Sequence, residues 1–282
     1  MSVLLGLLSM LAYSAASVAS QPLVRKIGSA QVLFYRGISV VVLMAIACIP
    51  FYKDLNNLPM ALFAFFLGIA GYIPVLAFMH GLRVSKVGVV APIGATSALF
   101  TVVLAFIFLD TPLSAVQWFA IAMVVAANVI ISVNPKDIRN SKITQLENGI
   151  LFALIAAVGW GLFYFILVYP TRSIGPWLSA LFVEIGVMTA AGAHLLLTKE
   201  KFDFKHTKSW PMVASGFAIA VGTVAYTIGV HSYNVGIVAV LSNSTALSST
   251  LLAAYFFKER LTRFEMIVAA VMILGVILVS IQ

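Results

Sequence analysis

The densest run of side chains able to do chemistry is Ser242-Asn243-Ser244-Thr245, followed by Ser248, Ser249 and Thr250. Hydroxyls and an amide make and release hydrogen bonds, and without an adjacent base none is a strong nucleophile. The chemistry on offer is reversible binding. Read as helix, the spacing puts Ser242, Thr245 and Ser249 on one face, and Asn243 adds two donors and two acceptor lone pairs. Any single hydroxyl here serves helix packing as readily as a ligand. A thinner counterpart, Gly94-Ala95-Thr96-Ser97, stands earlier in the chain, so a site built from both is expected to be asymmetric. Aromatic residues recur with helical spacing: Ser9, Tyr13 and Ser17 share one face, Trp160 and Tyr164 another, while Tyr72, Tyr226 and Thr223 stand apart. Aromatic rings offer flat apolar walls and a face attractive to cations. Ordinary packing or an interfacial belt explains Tyr72 equally well, but Trp160 and Tyr164 lie too deep in their apolar run for a belt.

Three ionisable types complete the inventory. Glu184 falls about 12 Å into an apolar run at 1.5 Å per residue, where desolvation favours the neutral, proton-loaded carboxyl. That suits a proton carrier, and a structural hydrogen bond to a neighbouring helix is the alternative. Arg36, about two turns into its run, reads as a residue that snorkels to the interface, a structural role. His80 and His231 sit at run ends without carboxylate partners, so no metal site is expected. The single cysteine, Cys48, excludes an internal disulfide and a thiolate metal cage. There is no Gly-Lys-Ser phosphate loop, no His-Glu-x-x-His helix and no pair of deep aspartates. The sequence therefore points to neither an enzyme nor a cofactor-dependent protein.

The elements that must position these residues follow from composition. Of 282 residues, 62% are hydrophobic and only 9% charged, with a mean hydropathy of +1.09. Soluble domains carry about 25% charged residues. The solvent is lipid, and the net charge of +8 is loop charge facing anionic lipid rather than a nucleic-acid surface. Apolar runs of spanning length, about 20 residues each, fall at 2–20, 30–50, 59–80, 87–109, 114–133, 148–169, 176–198, 210–232, 235–257 and 263–281. Such runs are helices, not barrel strands. The first resembles a signal peptide at Ser17-Val18-Ala19-Ser20, but no Lys or Arg precedes it, and it is read as a helix of the fold.

Sliding the chain on itself by 148 aligns 81–113 with 229–261, with eleven of 33 positions identical. At a shift of 147, Ile27-Gly28 falls on Ile174-Gly175 and Tyr13-Ser14 on Trp160-Gly161. The chain reads as two five-helix halves, 1–133 and 148–282, joined by 134–147. An odd number of helices per half inverts the second in the membrane. The charges agree: Arg25, Lys26, Arg83, Lys86, Lys136, Arg139, Lys142, Lys199, Lys201, Lys205, Lys208, Lys258, Arg260 and Arg263 collect on one face, and only Lys53 and Arg172 on the other. The positive-inside rule then makes the odd-numbered loops cytoplasmic and both termini external. Inverted repeats mark secondary carriers with a site near the midplane between the halves.

In these features the chain resembles the drug/metabolite transporter superfamily, specifically its ten-helix EamA-type members. The resemblance rests on the five-plus-five duplication, on Phe34-Tyr35-Arg36 in the second helix and on Phe257-Lys258-Glu259-Arg260-Leu261. Tyr13-Ser14 and Trp160-Gly161 resemble the family's aromatic–Gly pair, whereas Leu109-Asp110-Thr111-Pro112-Leu113 departs from its Gly-Glu-Arg-Leu ending. The resemblance implies an inner (plasma) membrane transporter for a small organic solute, an amino acid, metabolite or organic cation, exported by alternating access. It also implies a cavity lined by helices one, three, four, six, eight and nine. The substrate-binding candidates are then Tyr13, Ser17, Tyr72, Thr96, Trp160, Tyr164, Thr223, Tyr226, Ser242, Asn243 and Thr245, with Glu184 the candidate for proton coupling. A flippase for a lipid-linked substrate is the alternative. The expected partners are the solute, membrane lipid and a coupling ion, with no nucleic acid and no cofactor. Family habit places both termini in the cytoplasm, and the charge count places them outside.

Overall fold

The structure, a computed structural model, describes residues 1–85, 90, 93–109, 112–132, 143–200, 209–245, 248, 252 and 262–280. Lys86, Pro92, Asp110, Thr111, Lys136, Arg139, Lys142, Lys201, Lys205, Lys208, Ser249, Thr250 and the motif at 257–261 lie outside the described residues. Within them every regular element is helical. These are α1 (Ser2–Ile27), α2 (Ser29–Ala47), a 3-10 turn (Ile49–Asp54), α3 (Leu58–Val84), α4 (Ser97–Phe108), α5 (Ala115–Ser132), α6 (Ile143–Ile166) with a short continuation (Val168–Ile174), α7 (Pro176–Leu197), α8 (Trp210–Ser232), α9 (Val235–Asn243) and α10 (Arg263–Ser280). Six of them contain a stretch long and apolar enough to cross a membrane, and α4, α5 and α10 are shorter apolar helices. Their outer faces expose Leu4, Phe66, Phe119 and Phe217, as a lipid-facing surface must. The fold is an all-α integral membrane bundle of ten helices.

The duplication is written into the backbone. Gly28 joins α1 to α2 at φ 88, ψ 161, and Gly175 leads into α7 at φ 79, ψ 162. That region is essentially closed to residues with a Cβ. A Cβ at either glycine would touch nothing within 4 Å, so the requirement is conformational, not steric. The same joint recurs at the same place in each repeat.

Packing obeys the same exchange of halves. The principal contacts are α1 with α8 and α9, mirrored by α6 with α3 and α4; α2 with α8, mirrored by α7 with α3; and the self-paired α2–α7, α4–α9 and α5–α10. The halves interleave instead of standing side by side. Their inversion is visible at the ends. Gln31 Nε2, at the start of α2, donates to Glu200 Oε2 beyond the end of α7 at 3.3 Å. At the opposite end Asn57 Nδ2 donates to Ser173 Oγ at 3.0 Å, and Phe51 stacks on Trp177 with centroids 5.2 Å apart.

Between lipid-immersed helices, close approach and interhelical hydrogen bonds must replace hydrophobic drive. At the α3–α7 crossing, a Cβ on Gly186 would lie 2.1 Å from the Phe65 carbonyl oxygen, and one on Gly68 2.1 Å from that of Val183. These glycines permit contact between backbones rather than a bend. Hydroxyls stitch α1 into the bundle: Ser9 Oγ donates to the Gly222 carbonyl at 3.0 Å, Ser20 and Ser215 lie 2.6 Å apart, and Ser14 and Ser248 2.5 Å.

Candidate functional site

The fourth and ninth spans, read from the sequence as continuous helices, are both interrupted. The chain turns at Ala95 and Thr96 before α4, and leaves helical geometry at Ser244 (φ −79, ψ 39) after α9. The two breaks are the same motif. Thr96 N donates to Ile93 O at 3.0 Å, and Ser244 N to Leu241 O at 3.0 Å, each closing a four-residue turn at equivalent repeat positions. Short side chains bond back to carbonyls at the breaks: Thr96 Oγ1 donates to Ile93 O and Ser244 Oγ to Val240 O, both at 2.7 Å. Asn128 of α5 donates from Nδ2 to Asn243 O at 3.3 Å. Irregular backbone at membrane depth persists only where protein buries it or it borders a cavity.

A cavity of about 460 Å³ lies between the two breaks, within the ~300–1,000 Å³ range of small-molecule sites. Of the sequence candidates, Tyr13, Ser17, Trp160, Tyr164, Glu184, Thr223, Ser242, Asn243 and Thr245 line it. Three do not. Tyr72 is buried with its hydroxyl 3.2 Å from His194 Nδ1. The Thr96 hydroxyl is held by its own turn. Tyr226 is fully buried behind Tyr164, donating from its hydroxyl to the Tyr164 carbonyl at 3.1 Å, with ring centroids 4.8 Å apart. Phe78, whose ring centroid is 5.2 Å from that of Trp160, and Asn128 line the cavity without having been singled out in the sequence. Their apolar or isolated settings gave no signal.

The chain belongs to the EamA-like transporter family. The family's model matches it twice, over residues 1–133 and 147–281. No curated protein matches the sequence. A solved crystal structure, described only as that of a protein, is 16% identical over 98% of this chain and 95% of its own, with a TM-score of 0.82. At that identity the likeness speaks for the fold alone.

The transporter's cavity holds one acidic and one basic side chain, Glu184 and Arg36. Glu184 of α7 accepts from Thr223 Oγ1 at 2.8 Å, and Thr223 Oγ1 accepts from the Tyr13 hydroxyl at 3.3 Å. This chain links α1, α8 and α7 across the repeats. Arg36 of α2, read from the sequence as snorkelling, lines the same cavity as Glu184. The geometry explains why. Arg36 is eight residues past the Gly28 joint and Glu184 nine past the Gly175 joint, so the two enter from opposite faces and meet at similar depth. Helices two, five and seven thus contribute to the lining, beyond the six expected. Ser242 presents a buried hydroxyl with no hydrogen-bond partner among the described residues, while Asn243 spends one donor on Ala239 O at 2.9 Å.

The cavity is closed at one end. Ala64, Leu67, Ala105, Phe165, Val168, Tyr226, Val230, Val235 and Val238 form one buried cluster, and each sits in the part of its helix nearest an even-numbered loop. Toward the odd-numbered loops the lining extends to Leu33, Met79 and Asn128. Two further grooves, of about 480 and 570 Å³, run along α1, α2 and α8 and along α3 and α6, related by the same exchange of halves. Their walls are almost wholly apolar, so nothing there could orient a polar solute.

Proposed function

We propose that this EamA-like transporter carries a small organic solute, an amino acid, metabolite or organic cation, through the cavity between its repeats by alternating access, in the outward direction. The observation that supports this best is the pairing of a closed even-loop end with a polar, charged cavity bounded by two broken helices, the arrangement expected of an inverted-repeat carrier. Tyr13, Trp160 and Tyr164 supply flat walls, Ser242, Asn243, Thr223 and Thr245 supply hydrogen bonds, and Glu184 carries the coupling proton. With the odd-numbered loops cytoplasmic, as their basic charge favours, the described conformation receives solute from the cytoplasm. A phosphate-bearing lipid, the cargo of a flippase, is less well served because Glu184 stands beside the one deep Arg.

Proteoliposomes of defined orientation, loaded with labelled amino acids or organic cations and assayed with and without a pH gradient, test the reading. Movement accelerated by the gradient is expected. Glu184→Gln retains size and hydrogen bonding but cannot titrate, so uphill movement should be lost while exchange of labelled for unlabelled solute continues. A Gln variant that still concentrates solute makes Glu184 structural and removes proton coupling through it.

A further inference from the structure

Resting on that reading, we propose that Arg36 is the residue that selects the solute, and that the cavity takes dipolar solutes bearing a carboxylate together with a cationic group, to the exclusion of plain organic cations. Four observations carry this. Arg36 lines the cavity. Among the described residues no side chain hydrogen-bonds to its guanidinium or forms an ion pair with it. One oxygen of Glu184 is engaged by Thr223 at 2.8 Å, which leaves the other for a second partner. Ser242 is 1% exposed and lines the cavity, and its hydroxyl has no hydrogen-bond partner among the described residues.

Arg36 is partly exposed and borders the cavity, and a guanidinium at membrane depth is kept there by a partner or by a cavity that admits one. Its planar fork of donors matches a carboxylate bidentately. The cavity as a whole balances one positive against one negative side chain. A solute that is itself neutral overall but carries both charges satisfies each side chain and adds no net charge to a poorly solvated space. A monovalent organic cation would satisfy Glu184, leave Arg36 unpaired and add repulsion against it. The aromatic walls, Trp160 with Phe78 and Tyr164, then accept the rest of the solute without charge of their own.

The test uses the full-length protein in proteoliposomes and three matched sets of probes: neutral L-amino acids such as leucine and phenylalanine, their amides, which lack the carboxylate, and the corresponding deaminated acids. Tetraphenylphosphonium serves as a plain cation. Wild type should move a zwitterion, with the matched amide and acid each slower by about ten-fold or more, the loss expected for one charge-assisted contact. Arg36→Met should remove that preference, lowering the zwitterion rate toward that of the amide, and Arg36→Lys should recover part of it. Size-exclusion profiles and helical circular dichroism of both variants separate misfolding from lost selection, and the Lys variant keeps the test intact should the Met variant fail to fold. Wild type moving amides or tetraphenylphosphonium as fast as zwitterions, or Arg36→Met retaining full zwitterion preference, overturns this proposal and leaves transport standing. Wild type moving none of the probes overturns both.

Discussion

Two neighbouring tyrosines, one partly and one fully buried, separate lining from packing. Tyr164 faces the cavity, and Tyr226 stands behind it with its hydroxyl on the Tyr164 carbonyl. Tyr226→Phe removes that one hydrogen bond, so it should cost about 1 kcal/mol of stability and leave solute affinity unchanged. Asn243→Leu removes polar groups from the cavity wall and should weaken solute binding by about ten-fold, the worth of one hydrogen bond to a solute, with insertion and folding intact. Measured affinities that fall in the first variant and hold in the second would reverse their roles. The sequence does not separate them. Tyr72, Thr96 and Tyr226 carry the same functional groups as their neighbours in the lining; the rotation of a helix about its axis, set by tertiary partners, turns the two tyrosines away, and the Thr96 hydroxyl bonds within its own turn. Arg36 was missed for the same reason. Depth along a span can be counted from residues, but the direction of a side chain around it depends on which helix packs alongside.

At the scale of elements, the repeat's special positions make contrasting demands. Gly186→Ala drives a Cβ into the Phe65 carbonyl at 2.1 Å, against backbone that cannot turn aside, and should destabilise by about 1–3 kcal/mol as overpacking does. Gly28→Ala meets no atom within 4 Å and should cost only backbone strain, of order 1–3 kcal/mol. Thermal unfolding in detergent distinguishes the causes. Gly186→Ser should be at least as damaging as Gly186→Ala, while at position 28 Ala and Ser should be alike. Equal stability of Gly186→Ala and wild type would mean that α3 and α7 do not cross there. Helix number, repeat and order were legible because hydropathy and identity are one-dimensional signals. The joint at Ile27-Gly28 and Ile174-Gly175 was visible as a repeated dipeptide, though not as a backbone geometry. The breaks before α4 and after α9 were not foreseen. Their residues, Gly94-Ala95-Thr96-Ser97 and Ser242-Asn243-Ser244-Thr245, are short and uncharged, so the apolar run continues across them even where the helix does not.

For the whole molecule, transport between the repeats needs an orientation and a motion. Orientation is fixed by introducing single cysteines at exposed Lys53 and Lys199 in a Cys48→Ala background. An impermeant maleimide added outside intact cells should label position 53 and spare 199, and the opposite pattern would invert the topology. Motion follows from the closed end: the cluster around Tyr226 must open for solute to leave. Val235, fully buried in that cluster in the first turn of α9, reports on it when replaced by the near-isosteric cysteine. In oriented proteoliposomes with impermeant reagent on the even-loop side, position 235 should react slowly at rest and several-fold faster while labelled solute is being transported. Unchanged protection of that cysteine during sustained transport would contradict passage through this cavity by alternating access.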